Sequence, residues 1–126
     1  MQDYRKLNIW IEAMAYVEDV YTFSISMTRD ERYGLTDQLK RAAVSIPLNI
    51  AEGAGCRTNP EFERFLWYAY RSVNETATCL ELTKRLNVTR ANGLALERLL
   101  DRSDKVSAMI YKFIQKLNGK RITENS

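Results

Sequence analysis

The 126-residue chain contains no histidine, two cysteines, two prolines and five glycines. Each shortage excludes something. Without His, the commonest general acid and base near neutral pH is missing. Neither a Cys/His zinc pattern nor the Glu-x-x-His motifs of a carboxylate-bridged di-metal bundle can then be built. Glu75 and Glu81, six residues apart, are also poorly aligned for such a cage. No Gly-rich phosphate loop and no Gly-x-Ser-x-Gly elbow occurs, and the Gly53-Ala54-Gly55 run follows a helical pattern where a phosphate cradle would need a strand. The expectation is a protein that is not an enzyme and takes no metal or cofactor. Cys56 and Cys79 are too few for a disulfide framework and read as plain thiols. No apolar run approaches the length of a signal core or membrane span and the first residues, Met1 to Lys6, are polar, so a cytoplasmic protein with no membrane contact is expected.

What is present is a helix-rich composition. With 45% hydrophobic and 28% charged residues, the chain should fold as one domain around one core, with few and short loops. No period-2 strand and no internal repeat stands out, whereas four segments carry apolar residues at three- and four-residue steps. The fold class expected is all-α, an antiparallel four-helix bundle over residues 1–119 followed by a flexible C-terminal tail over 120–126.

The first helix is predicted over Leu7 to Ser26, with Leu7, Trp10, Met14, Val17, Tyr21 and Ser24 on its core face. The loop Met27 to Gly34 is polar and is not expected in the core. The second helix should run from Leu35 or Thr36 to Ala54 on the stripe Leu35, Leu39, Ala43, Ile46 and Ile50. Pro47 lies in its middle, a defect of about 3 kcal/mol that predicts a kink and not an end, because the spacing continues on both sides. A second line of small and polar residues, Ala42, Ser45, Asn49, Glu52 and Cys56, reads as a second contact face, or else Asn49 and Glu52 are merely exposed. Gly53 and Gly55 are expected to close the helix in the left-handed conformation.

Thr58-Asn59-Pro60-Glu61 fits a capping box and starts the third helix, whose core face is Phe62, Leu66, Ala69, Val73, Ala77, Leu80 and Leu86, with Phe65 and Thr76 at its margin. Trp67 and Tyr70 fall off that face, as a flank of the core, a subunit interface or a stacking surface. The fourth helix has the strictest repeat: Leu96, Leu99, Ser103, Val106, Ile110, Phe113 and Leu117. On its other side Arg98, Arg102, Lys105, Lys112 and Lys116 form a row interrupted by Met109, and Lys120 and Arg121 carry the charge into the tail. The net charge of +3 is too small to prove an acidic partner, so placement decides. This ridge is either a solvated face suited to the helix dipole or a phosphate-tracking surface that binds nucleic acid. Glu12, Glu18 and Asp19 make the first helix acidic by contrast.

Three stretches together resemble a known family: Tyr4-Arg5-Lys6-Leu7-Asn8-Ile9-Trp10, Glu31-Arg32-Tyr33-Gly34-Leu35-Thr36, and Gln38 to Gly53, strongest from Arg41 onward. The family is that of the four-helix bundle proteins encoded in intervening sequences of bacterial 23S ribosomal RNA genes. The likeness continues through Glu61-Phe62, Arg64-Phe65-Leu66, Ala69, Ser72, Glu75, Leu80 and Leu82 to Leu86, and thins in the fourth helix. It implies an up-down-up-down bundle assembling into a ring, typically a homopentamer, with a role in binding structured RNA or DNA that is not settled for the family. It also implies a runner-up, because relatives of similar fold serve as accessory proteins to the reverse transcriptases of diversity-generating retroelements. Arg71, beside Ser72, departs from the small residue common there and puts close helix contact in question. Within the matched run Arg41, Asn49 and Glu52, with Ser72 and Glu75, are expected to form a structural polar network that sets helix register. Arg57, Arg64 and Arg71 could add to the basic surface.

Overall fold

Asp3 accepts a hydrogen bond from the Arg5 amide at 3.1 Å and so starts a single 3-10 turn over Tyr4–Lys6. Four helices follow: α1 Asn8–Ser24, α2 Leu35–Ala54, α3 Asn59–Leu86 and α4 Gly93–Asn125. The structure is a computed structural model describing residues 2–31 and 33–125, with side chains described through residue 119. Short connections between long helices make sequential neighbours antiparallel. The helices meet in the order α1, α2, α3, α4 and back to α1, with no close approach across either diagonal among the described residues. This is the expected all-α four-helix bundle. α4 continues past residue 119, so no helix end marks the boundary expected between bundle and tail.

α2 has the bounds its spacing predicts. Pro47 is buried within it, and the helix is unbroken on both sides. Proline leaves the Ala43 carbonyl without its usual donor, and two side-chain donors bond to carbonyls flanking that gap. Ser45 Oγ donates to the Ala42 oxygen at 2.7 Å, and Asn49 Nδ2 donates to the Ser45 oxygen at 2.8 Å. The expectation of left-handed glycines is overturned, since no described glycine has a positive φ and Gly55 ends α2 at φ −82°. Gly53 serves close approach instead: a Cβ there would lie 2.8 Å from Phe62 Cδ1 and 3.2 Å from the Phe62 carbonyl oxygen. Gly53→Ala would gain about 1 kcal/mol of helix propensity. Over-packing costs about 1–3 kcal/mol, and the blocking atoms include backbone, so the expected net result is a lower urea midpoint. A midpoint above wild type would mean that Phe62 and Phe65 yield without strain.

α3 begins where its capping box predicts, with Thr58 Oγ1 accepting from the Glu61 amide at 3.3 Å. It ends on Asn87 at φ 54°, a left-handed cap that asparagine tolerates. Its buried line is Phe62, Leu66, Ala69, Val73, Thr76, Leu80 and Thr83, whereas Ala77 is half-buried and Leu86 is exposed. The threonines enter the core because each hydroxyl is satisfied by its own helix: Thr76 Oγ1 donates to the Ser72 oxygen at 2.7 Å and Thr83 Oγ1 to that of Cys79 at 2.8 Å. In α4 the predicted stripe is buried, except that Phe113 is half-buried and Ile114 joins the core beside it.

The core face of α1 differs from the predicted one. Ile9, Ala13, Tyr16, Val20 and Phe23 are buried, while Met14 and Tyr21 are exposed and Leu7, Trp10 and Val17 lie at the margin. Ser24 is buried as expected. Both lines have helical spacing, so periodicity cannot choose between them. α1 is apolar on two sides, and only one can face the core.

The loops at one end are joined. The Thr28 amide donates to the Val88 oxygen at 2.9 Å and the Arg90 amide to the Ser26 oxygen at 2.7 Å, while the Ser26 and Thr89 hydroxyls pair at 2.7 Å. Met27, in the stretch expected outside the core, is buried here with its sulfur 3.8 Å from Thr83 Oγ1. At the other end the Gln2 amide caps the Ala54 carbonyl at 3.0 Å.

Candidate nucleic-acid interface

The basic ridge of α4 runs along the seam with α1. Arg102 hydrogen-bonds Asp19 through Nη1 and approaches Glu12 to 3.6 Å through Nη2, and its side chain is only 33% exposed. Lys105 Nζ stands 3.9 Å from the same Glu12 oxygen. That oxygen is buried without a hydrogen bond, so these two ion pairs are its compensation. Two acids and two bases therefore meet in the middle of the ridge, at Arg102 and Lys105, two of the residues expected to contact phosphate. A cation already held by carboxylates releases little on meeting phosphate.

The outer members differ. Lys112 and Lys116 are exposed and have no carboxylate partner among the described residues. Arg98 is exposed and lines, with Asp19 and Arg102, a cleft of about 560 Å³ between α1 and α4. Met109, which interrupts the row, packs against the core. The side chains of Lys120 and Arg121 lie outside the described residues. Arg57, in the connection before α3, and Arg64 and Arg71 on α3 are all exposed, and Arg64 sits over the Phe65 ring at 5.1 Å from its centroid. Arg71 points to solvent and leaves Ser72 free to approach α2, so the bulk at that position does not obstruct the contact.

The five residues expected as one polar network are dispersed. Arg41 pairs with Asp37 at 3.2 Å on the same helix, Glu75 accepts from Gln38, and Glu52 is exposed and meets Cys56 only through its backbone oxygen. The residue that joins two of them is Ser45, whose hydroxyl oxygen meets Ser72 Oγ at 2.6 Å while its carbonyl holds Asn49. Small residues at this α2–α3 contact were legible as a line. Which member would be the hub was not, because that depends on the rotation of α3.

Trp67 and Tyr70 form a cluster with Tyr111 of α4, with ring centroids 5.4 to 6.3 Å apart. The cluster lies on the α3–α4 side, with Trp67 and Tyr111 both exposed. Sequence reasoning missed a second apolar surface. Trp10, Met14 and Val17 of α1 face Val44, Leu48 and Ala51 of α2 across a groove of about 680 Å³. Its signal was the α1 line that was assigned to the core.

Nothing described here resembles a reactive centre. No group of three or more Cys, Asp or Glu that could hold a metal occurs among the described residues. Burial pushes the Cys79 thiol up, with Glu75 adding to the shift, and Cys56 is raised as well, so neither is poised as a thiolate. No described helix is long and apolar enough to cross a membrane.

A family model described as 23S rRNA-intervening sequence protein matches residues 5–112. No curated protein matches the sequence. Among solved structures, a protein with unknown function from the S23 ribosomal protein family of Bacteroides thetaiotaomicron VPI-5482 is similar, with a TM-score of 0.76 and 19% identity. The match covers 84% of this chain and 97% of that one, and at such identity it speaks for the fold alone.

Proposed function

The chain belongs to the 23S rRNA-intervening sequence protein family, and from that premise we propose that it is a non-catalytic helical scaffold that self-associates and binds structured RNA or DNA. The observation carrying this reading is a pair of apolar patches on opposite sides of the bundle. The α1–α2 groove exposes Leu48 and Met14, and the α3–α4 side exposes Trp67 and Tyr111. Contiguous apolar surface of this kind marks an interaction site. Two different patches suit a heterologous contact, which gives a ring where its rotation closes and a filament where it does not; the resemblance implies the ring, a homopentamer.

Nucleic-acid binding then rests on the cations that the fold leaves unpaired, Lys112, Lys116 and Arg98, with Arg57, Arg64 and Arg71 as additions. Ring assembly repeats them and adds avidity. The test is fluorescence anisotropy of a labelled structured RNA and a matched DNA duplex at several salt concentrations. The expected result is affinity that falls steeply with salt, and a loss of at least about tenfold in a Lys112→Glu/Lys116→Glu variant that keeps its assembly mass. Arg102→Ala should instead destabilise the bundle, by leaving Asp19 unpaired and the buried Glu12 oxygen with Lys105 alone. Absence of binding at low salt by an assembled protein would favour the second reading, an accessory scaffold for another protein such as a reverse transcriptase.

A further inference from the structure

At the end of the bundle where the loops pair, a cavity of about 470 Å³ opens beside the first turn of α2. Arg29 from the first loop, Lys40 from α2 and Arg90 from the last loop all line it, and no carboxylate does. Three cations from three chain segments are brought together by tertiary structure, since the backbone bonds from Thr28 to Val88 and from Arg90 to Ser26 hold the two loops in register. None of the three has a carboxylate partner among the described residues. Of the acids nearby, Asp37 is engaged with Arg41 at 3.2 Å and Glu31 with the Leu35 amide at 3.4 Å, and Asp30, next to Arg29, does not line the cavity.

A second, independent observation points to a ligand. Thr36 lines the same cavity at 8% exposure, and its hydroxyl is buried with no hydrogen-bond partner. Buried hydroxyls are nearly always satisfied, as those of Thr76 and Thr83 are here. Thr36 sits in the first turn of α2, so the cavity lies beside the start of that helix, whose Leu35 amide is taken by Glu31.

We propose that this cavity binds a phosphate monoester. Such a group carries nearly two negative charges and three terminal oxygens, which matches three cations and a hydroxyl donor. A backbone phosphodiester, with one charge and two free oxygens, would leave part of the set unused. The volume lies within the ~300–1,000 Å³ usual for small-molecule sites, which admits a nucleotide as well as a phosphorylated strand end. The site is separate from Lys112 and Lys116 and does not depend on them.

Calorimetric titration of the full chain with inorganic phosphate, a nucleoside monophosphate, and 5′-phosphorylated and 5′-hydroxyl forms of one short oligonucleotide tests the assignment at matched ionic strength. The expected result is saturable binding of inorganic phosphate, weakened at least about tenfold in Lys40→Ala/Arg90→Ala and unchanged in Lys112→Glu/Lys116→Glu. Arg29→Gln/Arg90→Gln, altered only at exposed side chains, gives the same reading if the first variant unfolds. Preference for the 5′-phosphorylated over the 5′-hydroxyl strand identifies a strand end as the source, and tighter binding of the mononucleotide identifies a free nucleotide. No saturation by ~10 mM phosphate, or equal binding by wild type and both cavity variants, overturns the proposal, whatever the outcome with structured RNA.

Discussion

Tyr16→Ala is expected to lower the unfolding free energy by about 3–5 kcal/mol, the loss usual for removing a large buried ring, whereas Tyr16→Phe should cost only about 1 kcal/mol. Tyr16 is fully buried at the α1–α4 contact and hydrogen-bonds Ser103. The Ser103 hydroxyl gives its proton to the Leu99 oxygen at 2.9 Å, so the phenol must be the donor to Ser103. Loss of the ring leaves a cavity at the middle of the bundle; loss of the hydroxyl alone leaves Ser103 still bonded to Leu99. Against a total of roughly 5–15 kcal/mol for a domain, the first change brings unfolding close to ordinary conditions.

The same phenol predicts an alkaline limit. Burial pushes its pKa from 10.0 up to about 12, because a phenolate in the core would be stripped of water. A folded-state value above the unfolded one means that the contribution is complete below pH 10.0 and is lost as pH rises toward about 12. The loss amounts to roughly 2–3 kcal/mol. Urea unfolding of wild type between pH 9 and 12 should therefore fall more steeply than that of Tyr16→Phe. Parallel curves for the two proteins would separate the alkaline loss from Tyr16.

Much of this arrangement was legible in the sequence, and the exceptions have physical causes. The bounds of α2, the Thr58 cap and the α4 stripe follow from local rules, which the rest of the fold obeys. α1 carries two apolar lines of equal period, so its rotation depends on which line the partners can pack, a property of the assembled bundle. Thr76 and Thr83 look polar in a sequence and are apolar in effect, because the helix absorbs their hydroxyls. The sequence itself carries the α4 row of cations and the acids of α1. Their meeting at Arg102, Asp19 and Glu12 joins residues far apart in sequence and is invisible to any window along the chain. Arg29, Lys40 and Arg90 are scattered for the same reason.

The rotation of α1 also decides the second large effect. With Trp10 and Met14 turned outward, the α1–α2 groove and the α3–α4 aromatics form two unlike patches, and a heterologous ring needs both on every protomer. Leu48, at 59% exposure, stands in the first patch and Trp67, at 39%, in the second. Leu48→Glu and Trp67→Glu, each alone, should reduce the proposed ring to single chains of 14.7 kDa, because burying an unpaired carboxylate costs several kcal/mol. A loss of about 3 kcal/mol weakens association more than a hundredfold. Mixing the two variants restores one intact pair of patches, the groove of Trp67→Glu with the aromatics of Leu48→Glu, so light scattering should then report dimers and no larger species. If Leu48→Glu alone dissociates the protein, Trp67→Glu does not, and mixing rescues nothing, the groove packs against its own copy across a twofold axis. Unchanged mass in both variants would place the interface on neither patch, leaving the groove open to a different polypeptide.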